Sequence, residues 1–304
     1  MKLRFEFDPD TFDWTSVAVP LQVRQTPEDQ LRTVRDHPDH AADWVRRRAV
    51  SGDHRAQVTW GHMLLAGHGA AKDPEAALRW FKRAARAGDA EGANMAGRCY
   101  ELGIGIPASM GEAAVWYRIA AAGNDAWACF NLACLLLKGE DGVDPDIVEA
   151  MRLLVRSARM GNPKAMNMIA RSLEEGWRGP VKIAAARRWY ARAARGGCFR
   201  GQYHTARFLL RDGDVDGAAY WMEQSIQSAP NDFCSDMADR LEADPHPRLR
   251  ELGRLARLRA ENGMPTEADP LPNETAAAKP SRSQPKAGLA RGRSWFARAR
   301  RGPA

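Results

Sequence analysis

The sequence has no long hydrophobic run, which excludes one large class of protein. No stretch of its 304 residues approaches the roughly 18 consecutive apolar residues of a transmembrane helix. The first eight residues, Met1 to Asp8, include acidic side chains where a secretory signal needs an apolar core. We therefore expect neither a membrane span nor a secretory signal.

Cysteine is scarce, and its placement argues against a disulfide framework. The chain has five cysteines, and no two of them form a CxxC pair. An odd number of scattered thiols inside helix-like segments is typical of a reducing compartment. The sequence therefore predicts a cytoplasmic protein whose thiols behave as small apolar residues.

The motifs that carry most enzyme chemistry are also missing. The chain contains no GxSxG elbow, no Walker loop and no GxGxxG fingerprint. Five histidines fall between His37 and His68, but no cysteine lies near them, and a zinc site needs three or four converging ligands. We interpret them as solvated or capping side chains. The sequence thus predicts no enzyme, no cofactor and no metal site.

Positive charge is concentrated at the C-terminus. The chain has 45 Lys and Arg against 38 Asp and Glu, and residues 275–304 hold eight of the basic side chains and no acid. Prolines among Ala, Ser and Lys predict that residues 263–304 are a disordered tail. Within the tail, arginines alternate with an aromatic pair at Arg291, Arg293, Trp295, Phe296 and Arg298. These side chains could tether the protein to nucleic acid or an anionic membrane; a solubilising tail is the alternative.

What the sequence does contain is an internal repeat. Tryptophan or leucine recurs at spacings of 36, 36, 37, 36 and 32 residues, at Trp44, Trp80, Trp116, Leu153, Trp189 and Trp221. Alanine lies three positions before each of them, and a small or apolar residue lies five positions after. Eight positions after stand Gly52, Gly88, Asn124, Gly161, Gly197 and Ala229. Six copies that agree at four positions indicate a repeat architecture.

The repeated positions have a physical meaning. The alanines and the tryptophan lie near one face of a helix, where small residues let a neighbouring helix approach. The Gly or Asn column suits a helix C-terminus, since these residues adopt a positive φ at low cost. A second helix follows and ends in glycines. Each copy is therefore predicted to be a helix pair, with the tryptophans in the core between helices rather than forming a platform for nucleic acid.

Two segments resemble a known family. Gly69-x-x-x-Asp73-x-x-x-Ala77-x-x-Trp80-Phe81-x-x-Ala84-Ala85-x-x-Gly88 is similar to the Sel-one-like repeat, a relative of the tetratricopeptide repeat. Tyr100-Glu101-Leu102-Gly103-Ile104-Gly105-Ile106, followed by Ala113-x-x-Trp116-Tyr117, is similar to it as well. The resemblance implies an all-α fold, a right-handed α/α superhelical solenoid of about six helix pairs. We expect a cap segment at 1–40, the solenoid with a closing helix at 41–262 and the tail at 263–304.

The resemblance also implies where a partner binds. In such solenoids one helix of each pair lines a concave groove, here the helix that contains Trp60 or its counterpart. The inward positions selected on this basis are Asn94, Arg98, Trp127, Phe130, Asn167, Arg171, Tyr203 and Arg207. An aromatic anchor between amides and guanidinium groups suits an extended peptide. The sequence leaves open whether Trp127 and Phe130 contact a partner or pack on a neighbouring loop. The predicted function is a non-enzymatic adaptor that captures a protein segment.

Overall fold

A computed structural model describes residues 38–139 and 142–262. These residues form thirteen α-helices and no strand. The helices are α1 Pro38–Val50, α2 His54–Ala66, α3 Pro74–Arg86, α4 Ala90–Leu102, α5 Met110–Ala122, α6 Ala126–Lys138, α7 Ile147–Arg159, α8 Pro163–Glu175, α9 Ile183–Arg195, α10 Phe199–Arg211, α11 Val215–Ser228, α12 Asn231–Leu241 and α13 Pro247–Asn262. The predicted cap segment, apart from residues 38–40, and the predicted tail lie outside the described residues.

Local sequence explains where the helices begin and end. Asp53, Asp89 and Asp125 cap α2, α4 and α6, each accepting a hydrogen bond from a backbone N–H of the first turn. The predicted glycine column has positive φ, as at Gly88 (88°), and Asn124 in the same column has φ 65°. Asn124 is the one non-glycine residue with positive φ in the described part of the chain, so the sequence interpretation of this column is confirmed there.

The helices form two layers. Consecutive helices pack on each other from α1 to α11, and α12 packs on α13. Helix α2 also approaches α4, and α8 approaches α10. The even-numbered helices α2 to α12 therefore form the inner layer, and the odd-numbered helices α1 to α11 form the outer layer. At the C-terminal end α13 packs on α11 and α12. Its Leu249 and Ala256 are buried, and Arg257 binds Asp239 and Glu242.

The tryptophan column lies at the edge of the core and not in its centre. Trp80, Trp116 and Trp189 are half-buried and pack against the core. The next residue in each copy is the buried one, as at Phe81 and Tyr117, each 0% exposed. A 3.6-residue helix turns by 100° per residue, so the position after the tryptophan points more directly at the inner layer. Small residues on the inner helices make room for these rings. A Cβ added at Gly61 would lie 2.5 Å from the Phe81 ring, so only glycine fits there without a shift of the ring.

Candidate peptide-binding groove

An apolar stripe runs along α6. Trp127, Phe130, Cys134 and Leu137 stand three or four residues apart on one side of the helix, and all remain at least partly accessible. Trp127 is 43% exposed, and its ring meets that of Phe130 edge to face at 6.4 Å between centroids. Lys164 of α8 places its Nζ 5.3 Å from the Trp127 ring centroid. The inner surface therefore has an accessible aromatic pair at its middle, which we call the α6 stripe.

The two asparagines that flank the α6 stripe are buried. Asn94 is 6% exposed, and its Oδ1 accepts a hydrogen bond from Asn131 Nδ2 at 3.2 Å. This bond ties α4 to α6. Asn167 is 4% exposed, and its Oδ1 is buried with no hydrogen-bond partner among the described residues. A buried amide oxygen without a partner is costly, and because Asn167 Oδ1 is buried it is not part of the accessible surface of the groove.

The predicted arginines are half-buried and differ in how far they are already engaged. Arg98 has no ion-pair partner among the described residues. Arg171 Nε donates to Glu175 Oε1 at 2.9 Å, and its guanidinium carbon lies 5.4 Å from the Trp177 ring centroid. Arg207 Nη2 donates to Glu174 Oε1 at 2.6 Å. Arg98, the arginine nearest the N-terminal end of the groove, is therefore the least neutralised of the three.

Tyr203 belongs to the core more than to the groove surface. It is 9% exposed, and its ring meets Phe233 at 5.5 Å between centroids. Burial raises the pKa of its phenol. Arg207 is likewise engaged, by Glu174. The two residues at the C-terminal end of the predicted site therefore already contact other side chains of the protein.

Two tyrosine–glutamate bonds that were not anticipated from the sequence join outer helices to inner helices. Tyr117 donates its hydroxyl to Glu101 Oε2, and Tyr190 donates to Glu174 Oε2 at 2.8 Å. Burial, together with the neighbouring carboxylate, raises the pKa of both tyrosines. Each tyrosine follows its glutamate by 16 residues, and this spacing is the signal in the sequence that could have revealed the bonds.

Nothing in this surface resembles a reactive centre. Burial, followed by the charge of Glu101, raises the pKa of the Cys134 thiol to about 12, so it stays protonated near neutral pH. Within residues 38–139 and 142–262, no three His, Cys, Asp or Glu side chains are grouped so as to hold a metal ion. In the same residues no helix is long and apolar enough to cross a membrane. The tail residues Arg291, Arg293, Trp295, Phe296 and Arg298 lie outside the described part.

A family model described as the Sel1 repeat matches residues 54–89, 90–125, 128–162 and 163–198. The chain carries a Sel1-repeat solenoid. In this register the inner helix is the first of each pair and the outer helix the second. Sel1 repeats commonly form protein-interaction scaffolds and are generally non-catalytic. No curated protein matches the chain significantly.

One solved structure has the same fold over most of its length. A Sel1 repeat protein from Oxalobacter formigenes is 21% identical, with a TM-score of 0.65, over 76% of this chain and 98% of that one. A protective antigen of uropathogenic Escherichia coli with an SLR fold is 22% identical over 78% of this chain and 61% of its own, at a TM-score of 0.38. An immunity protein from Pseudomonas aeruginosa is 13% identical over 71% of this chain and 83% of its own, with a TM-score of 0.49. At such identities the first structure supports the fold alone, and the other two add no argument.

Proposed function

We propose that this Sel1-repeat solenoid is an adaptor that holds an extended peptide segment across α4, α6 and α8. The observation that carries the proposal is the α6 stripe, which leaves Trp127 43% exposed on the inner layer of a repeat scaffold. An accessible aromatic pair would give apolar affinity, because rigid rings bury large areas at low entropic cost.

Polar groups beside the stripe would orient the segment. Arg98 and Lys164 stand on opposite sides of the stripe, on α4 and α8. A peptide with an aromatic or aliphatic anchor and an acidic side chain nearby fits this arrangement best.

A peptide library displayed on phage and selected on the immobilised full chain tests the proposal. Selected peptides are synthesised, and their Kd values are measured by calorimetry for the wild type and for Trp127→Ala/Phe130→Ala. We expect the double variant to weaken binding by at least about tenfold, since loss of a hot-spot aromatic costs about 2 kcal/mol or more.

Tyr220→Ala is the matched control. Tyr220 is an exposed aromatic on the outer helix α11, so its loss should change the Kd less than about twofold. Equal losses in the two variants, or none in either, would show that the α6 stripe is not the binding surface. Circular dichroism and the Tm of each variant establish that the fold is retained.

A further inference from the structure

The outer layer of the solenoid is much more basic than the inner layer. The six outer helices hold fifteen Lys and Arg against seven Asp and Glu, and α3, α5, α7 and α9 alone hold twelve Lys and Arg against three Glu. The six inner helices hold nine Lys and Arg against seven Asp and Glu. The overall charge of the protein conceals this asymmetry, because acidic N-caps such as Asp73 and Asp146 lie in the linkers between the helices.

The positive charges follow the repeat. On α3, α7 and α9 arginine occupies the same three positions, one before, three after and six after the tryptophan column: Arg79, Arg83, Arg86, Arg152, Arg156, Arg159, Arg188, Arg192 and Arg195. These positions lie on the opposite side of each helix from the buried alanine and aromatic columns. Arg86, Arg159, Arg188 and Arg195 are exposed, and no carboxylate of the described residues pairs with them. We call this array the outer face.

Aliphatic side chains interrupt the arginines on the same face. On α5 the equivalent positions include Val115 and Ile119, each 47% exposed. Ile147, Val148 and Met160 are exposed at the two ends of α7.

Two arginines of the array have a carboxylate partner on their own helix, Arg79 with Glu75 at 3.8 Å and Arg152 with Glu149 at 3.7 Å. These exposed pairs are weak, so the face combines aliphatic groups with an excess of positive charge, which is a feature of interaction surfaces.

The outer face contains an open depression of about 590 Å³. Its floor is formed by Val148, Met151 and Val155, and its rim by Arg152, Arg159 and Arg178. A smaller space of about 150 Å³ adjoins it under the loop after α8 and shares Met151 and Arg178. An apolar floor with three guanidinium groups at its rim is complementary to a ligand with an anionic head and an apolar body.

We propose that the outer face around α7 binds an anionic phospholipid surface. The arginines would pair with lipid phosphates, the exposed aliphatics would enter the headgroup–acyl boundary, and the half-buried tryptophans would lie at the interface. Nucleic acid is less well matched, because exposed aliphatics contribute nothing to phosphate contacts. In addition, no aromatic ring of α3, α5, α7 or α9 is freely exposed for bases to stack on. This site is separate from the peptide groove of the inner layer.

Vesicle sedimentation with the full chain tests the proposal. The vesicles contain phosphatidylcholine alone or with about 30 mol% phosphatidylglycerol, in about 0.1 M salt. The test variant is Arg152→Glu/Arg159→Glu/Arg178→Glu. The matched control is Arg55→Glu/Lys72→Glu/Arg211→Glu, which changes the net charge equally at exposed positions outside the outer face. The C-terminal tail is intact in both.

We expect the wild type to bind the anionic vesicles, the test variant to lose at least about tenfold in partition coefficient, and the control to lose less than about twofold. Val148→Ser/Val155→Ser, which leaves the charge unchanged, should also weaken binding. Equal losses in the two charge variants would show a general charge effect and overturn the proposal. An unchanged partition coefficient for the test variant would overturn it as well. If the same variants are assayed on duplex DNA, a loss of DNA binding without a loss of vesicle binding would indicate a nucleic-acid surface instead.

Discussion

At the scale of single residues, Asp125 links stability to pH. Asp125 is the N-cap of α6 and accepts from Ala128 N at 2.6 Å. Burial, reinforced by the charges of Glu91 and Asp89, raises its pKa from 3.8 to about 6. A folded-state pKa above the unfolded value means that the native state binds the proton more tightly. Stability from this group is therefore greatest below about pH 4 and falls as pH rises to about 6.

Asp125→Asn tests this linkage, because Asn caps helices as well as Asp and cannot ionise. We expect the variant to be more stable than the wild type by about 2 kcal/mol at pH 7, and the difference to disappear near pH 4. Urea unfolding at pH 4, 5, 6 and 7 measures it. A difference that does not depend on pH would show that ionisation of Asp125 does not limit stability.

Single residues in the groove show what sequence could and could not predict. The repeat alignment placed Trp127 on the inner layer, and the structure leaves it 43% exposed. It could not reveal that Asn94 bonds to Asn131 or that Arg207 is held by Glu174. Those bonds join residues of different repeats, and their formation depends on how neighbouring repeats are turned relative to each other, which spacing alone does not specify.

At the scale of helices, close packing between layers depends on glycine. A Cβ added at Gly97 of α4 would lie 2.7 Å from the Tyr117 ring of α5. That ring cannot easily move, because the Tyr117 hydroxyl is bonded to Glu101 and the side chain is fully buried. We expect Gly97→Ala to lower the free energy of unfolding by about 1–3 kcal/mol, although alanine is the better helix former.

Gly111 of α5 provides the comparison for Gly97. A Cβ there would come no closer than 3.4 Å to any atom, the nearest being Gly142 O. Gly111→Ala should therefore leave stability unchanged or raise it by up to about 1 kcal/mol. Thermal and urea unfolding of the two variants give the contrast. Similar effects at the two positions would mean that helix propensity, and not the contact with Tyr117, decides the outcome.

The helices also show why a repeat pattern predicts the fold better than it predicts which side chains form the core. The tryptophan column identified every outer helix, since aromatic residues at a fixed spacing mark one face. The buried ring is nevertheless the next residue, as at Phe81, and the half-buried tryptophans are covered by cations such as Arg83, 5.2 Å from the Trp80 ring centroid. Both adjacent positions hold large aromatic side chains in α3, α5 and α9, and the packing of the inner layer decides which of the two is buried.

At the scale of the whole molecule, the core is not continuous. One cluster of buried side chains extends from Ala42 to Ile169 and a second from Tyr203 to Ala256. Between them lies a small cluster that contains Tyr190 of α9 and Phe208 of α10. In a solenoid each repeat is stabilised by its neighbours alone, so a narrow junction allows the two ends to open separately.

This division predicts how a defect at one end spreads. Leu249 of α13 is 1% exposed, and Leu249→Ala should destabilise its cluster by about 2–4 kcal/mol. Amide hydrogens in α10 to α13 should then exchange about ten- to a thousandfold faster in deuterium oxide, while those in α3 to α6 keep their wild-type rates. Phe81→Leu, which disturbs the N-terminal cluster, should give the reverse pattern.

Hydrogen exchange measured by mass spectrometry resolves these segments. A uniform increase across all helices in either variant would show that the solenoid opens as one cooperative unit, and the junction at α9 would then have no energetic meaning. Localised opening would instead place the α6 stripe and the outer face around α7 on the same stable unit, since both lie on the N-terminal side of α9. Loss of the C-terminal repeats would then leave both proposed surfaces folded, because each relies on neighbours within its own cluster.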